Sequence, residues 1–215
     1  MDNIQTNGNV TLISPLQDDS VSKESIDNCI KIARLNALNK KLFNNCSNVS
    51  CNIYNKCQSK SIANGSFNAS IMLVDAFPSE YESFTGCFTD KKGYLLEECL
   101  KDCKTKRSDI YCTTLIKCTN IKDTNQSIIQ NCLKHYFLEE LELIHPSKFI
   151  LTYSAFQACL KYQIIPYIGS INYFTKFNVT VNNSFNVDMY VIYDLNNITE
   201  QSRVALKQGL NYILQ

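Results

Sequence analysis

Two sets of residues in this sequence have the types and spacing to do chemistry. One is a set of eleven cysteines, with Cys46, Cys51 and Cys57 in a polar stretch and Cys118 and Cys132 farther along. Their number is odd and too low for a small disulfide scaffold, so free thiols or metal ligands are the expectation, and bridges are not. The other set lies in Ile71 to Leu96, IMLVDAFPSEYESFTGCFTDKKGYLL, where carboxylates (Asp75, Glu80, Glu82), hydroxyls (Ser79, Thr85, Thr89) and cations (Lys91, Lys92) follow an apolar run. The stretch reads as a buried strand, a polar loop with Pro78 and Gly86, and then a helix. In a sheet flanked by helices, loops at the carboxyl ends of strands are where ligands bind.

Those residues need a scaffold to position them. Ile26, Ile30, Ala33, Ala37 and Leu38 recur at helical spacing and predict a helix over 24–43, capped by Ser22 or Ser25. Residues 44–70 are polar and irregular, and a stretch that long needs something to hold it. Short apolar or β-branched runs predict strands at 71–75, 109–117 and 148–153. Amphipathic stripes predict helices at 93–103, 127–144 and 154–160. After Pro166 and Gly169 the pattern alternates, giving a hairpin that turns at Asn182-Asn183 and feeds a fourth strand at 189–193. A helix over 199–214 closes the chain. Strands alternating with helices predict a three-layer α/β/α fold with a central, mainly parallel four-stranded sheet, in one domain over 23–215 behind a flexible amino-terminal arm of residues 1–22.

Composition narrows the function classes. Twenty-one Lys and Arg against twenty Asp and Glu give a net charge of +1, so a nucleic-acid face would have to be a local patch. The polar, acidic amino terminus is unlike a signal peptide, and no apolar run approaches membrane-spanning length. The expectation is an intracellular, cytoplasmic protein with no membrane partner. A chain rich in Asn, Lys and Ile meets Asn-x-Ser/Thr by chance, as at Asn48, Asn64 and Asn178. A secreted, glycosylated binding protein with disulfides is the competing class.

The order of elements and the residues in them resemble the iron–sulfur branch of the uracil-DNA glycosylase superfamily, often called family 4. The family's Gly-Glu-Ala-Pro-Gly, acidic run, Thr-Gly-x-Pro-Phe and Gly-Leu-Leu are met here by Asp75, Ala76, Phe77, Pro78 and Ser79, then Glu80 and Glu82, then Thr85, Gly86 and Phe88, then Gly93, Leu95 and Leu96. One residue is missing between Gly86 and Phe88. The family's Tyr-Ile-Thr-Asn-x-x-Lys-Cys is met by Tyr111 to Cys118, and its Glu-Leu-Ile-x-Pro by Glu142, Leu143, Ile144 and Pro146.

The resemblance implies a four-iron, four-sulfur cluster held by Cys118, Cys132 and, most naturally, Cys46 and Cys51, with Cys57 as the alternate; structural zinc is the other option for the same thiolates. Cys99, Cys103, Cys112 and Cys159 lie on apolar faces and read as ordinary small hydrophobes. The resemblance also implies a DNA-contacting loop of Pro78, Ser79, Thr85, Gly86 and Phe88, with Phe88 as a stacking platform for a flipped base. Thr114 stands where the family reads the uracil edge with Asn. Two chemical groups are absent: Ala76 replaces the motif acid, and Tyr193-Asp194-Leu195-Asn196 replaces the His-Pro-Ser histidine that the family uses on the departing base. Asp75 and Asp194 are the candidate catalytic substitutes. His145-Pro146-Ser147 spells the lost motif but precedes the third strand, where a helix-terminating role is the simpler expectation. His135 reads as a surface or supporting residue.

These losses predict a catalytically silent, nucleic-acid-binding or scaffold protein in DNA replication, repair or transcription, with single- or double-stranded DNA as ligand and subunits of a polymerase assembly as partners. The biased composition suggests a virus as its source, with the host cytoplasm as its place. The alternative is an active glycosylase with altered base choice.

Overall fold

The computed structural model describes residues 23–45, 59–119, 126–196 and 198–215. The first helix, α1 (Lys23–Asn45), leads into residues 46–58, so Cys46, Cys51, Cys57 and the arm 1–22 lie outside the described residues. Strands β1 (Ile71–Asp75), β2 (Ile110–Thr114), β3 (Lys148–Thr152), β4 (Phe177–Val181) and β5 (Phe185–Ile192) form one sheet in the order β2-β1-β3-β5-β4. All neighbours run parallel except β4, which pairs antiparallel with β5. The sheet therefore has five strands where four were expected. The first arm of the predicted hairpin stays paired along its whole length, and its turn at Asn182 and Asn183 takes left-handed backbone at φ 49° and 54°, as Asn tolerates.

Side chains alternate across a strand, and that period sorts the core into two layers. Met72 and Val74 of β1, Phe149 and Leu151 of β3, and Met189 and Val191 of β5 face one layer. There they meet a long helix made of α4 (Gln126–Cys132), a π segment (Leu133–Phe137) and α5 (Leu138–Ile144), together with α6 (Tyr153–Lys161). Ile71 and Leu73, Ile110 and Cys112, Ile150, and Tyr190 and Ile192 face the other layer, against α3 (Lys91–Leu100) and α7 (Glu200–Leu214). A single helical turn, α2 (Glu82–Thr85), sits in the loop after β1.

The free edge of β2 is covered. Asn64 exchanges both backbone hydrogen bonds with Cys112 at 2.8 and 2.9 Å, Ser61 N–H donates to Lys117 O at 2.8 Å, and Lys60 bridges Cys118. Among the described residues no helix is long and apolar enough to cross a membrane.

Candidate functional site

Alternation also decides where the chemistry-bearing residues go. Asp75 follows Ile71 and Leu73 in the period-two pattern, so its carboxylate points into the α3/α7 layer, where it meets Lys92 from the first turn of α3. Lys92 Nζ lies 2.8 Å from Asp75 Oδ2, 3.1 Å from Glu82 Oε2 and 3.3 Å from the Phe77 carbonyl. Asp75 Oδ1 accepts from the Ala76 N–H at 2.8 Å and from the Thr152 hydroxyl at 2.9 Å. Glu82 accepts from the Ser79 N–H at 2.6 Å and from the Phe88 N–H. Lys92, Asp75 and Glu82 are 1%, 5% and 0% exposed, so this is a fully interior triad with one cation and two anions.

The electrostatics follow from that count. Burial pushes the Glu82 carboxyl upward, and the opposing pull of Lys92 does not cancel it. For Lys92, burial works against the charge, but Asp75 and Glu82 together outweigh it and raise its pKa. Lys92 and Glu82 are thus core residues and offer no phosphate contact. A signal existed in the sequence: Lys92 lies three, four and seven residues before Leu95, Leu96 and Cys99, on the buried stripe itself.

Phe88 is held in the same knot. Its φ of 59° is in the left-handed region, unusual for an aromatic residue, and its ring is 2% exposed with Lys92 Nζ 5.3 Å from the centroid. Gly93 makes this possible: a Cβ there would stand 1.9 Å from the Phe88 carbonyl oxygen. The expected stacking face is therefore turned into the core. Thr114, expected at a base edge, is also buried, donates its hydroxyl to the Ile116 carbonyl at 2.6 Å and has Cys87 Sγ at 3.8 Å. Pro78 and Gly86 are buried, and Ser79 keeps its hydroxyl inside without a partner among the described residues. Thr85 and Lys91 are exposed, and Thr85 shares a hydrogen bond with half-buried Thr89.

At the carboxyl ends of the strands lies a cleft of ≈ 250 Å³ lined by Asp75, Ala76, Phe77, Ser154, Asp194 and Asn196. The two candidate carboxylates do share it, and Phe77 offers a ring 39% exposed. Asp194 accepts from the Ser154 N–H and hydroxyl, both at 2.8 Å, and so ties the start of α6 to the end of β5. His145 is far from this cleft: at φ 52° it ends α5, and its ring stacks on Phe185 with centroids 4.2 Å apart. His135 is half-buried on the π segment, its pKa lowered by burial and by Lys41 and Lys134.

A second buried network went unread in the sequence. Lys117 Nζ lies 2.6 Å from Glu140 Oε2; Thr113 and Tyr111 each donate to Glu140 at 2.8 Å. Burial, then the Glu140 charge, pushes the Tyr111 phenol well above its usual value. Glu140 follows Tyr136 and Phe137 at helical spacing, the same stripe signal as Lys92. This network lies beside the cysteines. Cys118 and Cys132 fall in one buried cluster with Leu38 and Leu42 of α1, Ile116 and Tyr136. Of the described residues on either side of positions 46–58, α1 enters this cluster through Leu38 and Leu42, and the Ser59 hydroxyl lies 2.7 Å from that of Thr119, the neighbour of Cys118. Cys118 and Cys132 thus share a buried cluster, and among the described residues no group of three or more His, Cys, Asp or Glu is placed to hold a metal ion. Cys99 and Cys112 are thiols pushed up by burial to about 11 and about 12, and Cys159 higher still, so these remain protonated core groups.

Residues 62–203, about two thirds of the chain, match the Uracil DNA glycosylase superfamily. Over 89 residues the chain is 30% identical to the type-4 uracil-DNA glycosylase of Thermotoga maritima, covering 40% of this chain and 45% of that protein. The chain thus spans under half the length of that relative.

Proposed function

Since the chain belongs to the uracil-DNA glycosylase superfamily, we propose that it is a divergent member which binds nucleic acid or serves as a scaffold subunit in DNA replication, repair or transcription, and that it does not excise bases. The observation that carries this reading is the Lys92 triad. A glycosylase must admit a flipped base, grip its face and edge, and stabilise a cationic sugar while the base departs. Here Asp75, the carboxylate nearest the replaced motif acid, spends one oxygen on Lys92 and the other on Thr152 and Ala76 N–H. Its charge is answered inside the protein, leaving little for a sugar cation outside. The Phe88 ring and the Thr114 hydroxyl are likewise committed inward. Binding needs none of these groups. Phosphate contacts use hydroxyls, lysines and backbone N–H groups, which Thr85, Thr89 and Lys91 supply, and Phe77 offers an exposed ring.

In this reading Cys118 and Cys132, with two of Cys46, Cys51 and Cys57, hold a four-iron, four-sulfur cluster, or zinc in its place. Such a group, when bound, would tie segment 46–58 to α1 and the long helix. Residues 23–215 act as one domain behind the arm 1–22, and viral origin and subunits of a polymerase assembly complete the proposal.

The test measures base release from uracil-containing single- and double-stranded oligonucleotides beside their binding. Expected are salt-dependent binding and no release; release at enzymatic rates would sink the reading. One observation favours the alternative, an active glycosylase: Asp75 and Asp194 share the cleft. If that alternative holds, Asp75→Asn with Asp194→Asn abolishes any release that the wild type shows.

A further inference from the structure

A groove of ≈ 650 Å³ opens at the other end of α6 from the cleft, where that helix meets the π segment and the turn at Asn182. From Tyr153 to Lys161 the helix spans nine residues, about 12 Å at about 1.5 Å per residue, so the two sites share an element but no residue.

The groove is lined in three kinds. Leu133, Leu138 and Ile164 supply apolar surface. Gln130, Asn131, Gln163 and Asn182 bring side-chain amides, each able to donate and to accept. Lys134, from the π segment, and Lys161, from α6, bring two positive charges. Among the described residues no carboxylate lines the groove, and neither lysine is in an ion pair. Tyr162, also in the lining, buries its hydroxyl without a hydrogen-bond partner among the described residues. Its ring lies 5.5 Å from the Lys161 ammonium, so the aromatic face and that cation stand together at the groove. The helix wall itself departs from regular geometry at the π segment, a local widening that recurs at functional sites.

Two ammonium groups, with no carboxylate beside them among the described residues, select an oxyanion, and phosphate is the dianion that two lysines match. Four amides select a body that both donates and accepts, and the three aliphatic side chains select one with a flat apolar face. A nucleobase on a ribose has both properties, and the volume lies in the range of small-molecule sites. We infer that this groove binds a mononucleotide, its phosphate held by Lys134 and Lys161.

Calorimetric titration of the full chain with AMP, GMP, CMP, UMP and inorganic phosphate tests this. At least one mononucleotide should bind at least about tenfold more tightly than inorganic phosphate, and the double variant K134E/K161E should weaken it by about tenfold or more. Both lysines are exposed, and an unchanged melting temperature will show that the double variant folds. The inference is overturned if no mononucleotide binds, if inorganic phosphate binds as tightly as the best of them, or if K134E/K161E binds it as the wild type does. Because free nucleotide is the probe, failure here is separate from failure of oligonucleotide binding, measured on the same proteins.

Discussion

Replacing Lys92 with Met keeps most of the apolar stem and removes the charge, which isolates what the ammonium does. In the wild type two carboxylates within 3.1 Å share it, and the interior carries a net single negative charge. The variant leaves two buried anions with no cation between them, although Thr152 and three backbone N–H groups still donate to them. Breaking a buried ion pair by removing one partner costs about 3–5 kcal/mol, a large share of the roughly 5–15 kcal/mol that holds a domain together. With a urea dependence of about 2 kcal/mol per molar, the unfolding midpoint should fall by about 2 M at pH 7. Lys207→Met, which breaks the exposed 2.6 Å pair with Asp102, is the control, and little or no shift of the midpoint is expected of it. The pH dependence gives an independent check. Glu82 already has a raised carboxyl in the folded protein, so its proton is held more tightly folded than unfolded. Such a group favours the folded state most below its unfolded value near 4.5, and that favour is lost as pH rises through the folded value. Removing Lys92 pushes Glu82 further the same way. The deficit of the variant must therefore be greatest at neutral pH and shrink as the pH falls toward 4.5. A loss below about 1 kcal/mol at pH 7, or a deficit that grows on acidification, refutes the triad as drawn.

Gly93→Ala forces a methyl against the Phe88 carbonyl, and thermal denaturation should show a loss of about 2 kcal/mol or more; an unchanged melting temperature would mean the α3–Phe88 contact is looser than described. If the proposed cluster is bound, Cys118→Ser and Cys132→Ser, purified anaerobically, should each lose its brown absorbance and iron, whereas zinc in a colourless wild type would select the other metal. His145→Ala removes a ring stacked on Phe185 and should cost about 1 kcal/mol, with oligonucleotide binding unchanged. A selective loss of binding would instead put the His-Pro-Ser sequence at the ligand.

The layer architecture was readable because period-two and period-3.6 patterns are dictated by burial, and each core strand of this sheet obeys them. Strand count was missed by one, since a hairpin arm with alternating exposed residues such as Asn178 and Thr180 looks the same whether it ends as a ribbon or joins the sheet. The site was less readable. Motif positions located the loop after β1, but charge type alone gave no sign that Lys92 and Glu82 lie inside. Their burial depends on one another: neither would be tolerable inside without the other, and a partner seventeen residues away, Asp75 to Lys92, leaves no trace in local pattern. Lys117 and Glu140, twenty-three residues apart, went unread for the same reason.

The strap of residues 60–64 along β2 also bears on self-association. Without it, β2 would present an open row of amides and carbonyls beside Ile110 and Cys112, the kind of flat, apolar border on which a second molecule adds a strand. The bonds of Asn64 to Cys112 and of Ser61 to Lys117 are what keep that border closed. Loosening of the strap should therefore show itself first as concentration-dependent aggregation, before any loss of the helical signal.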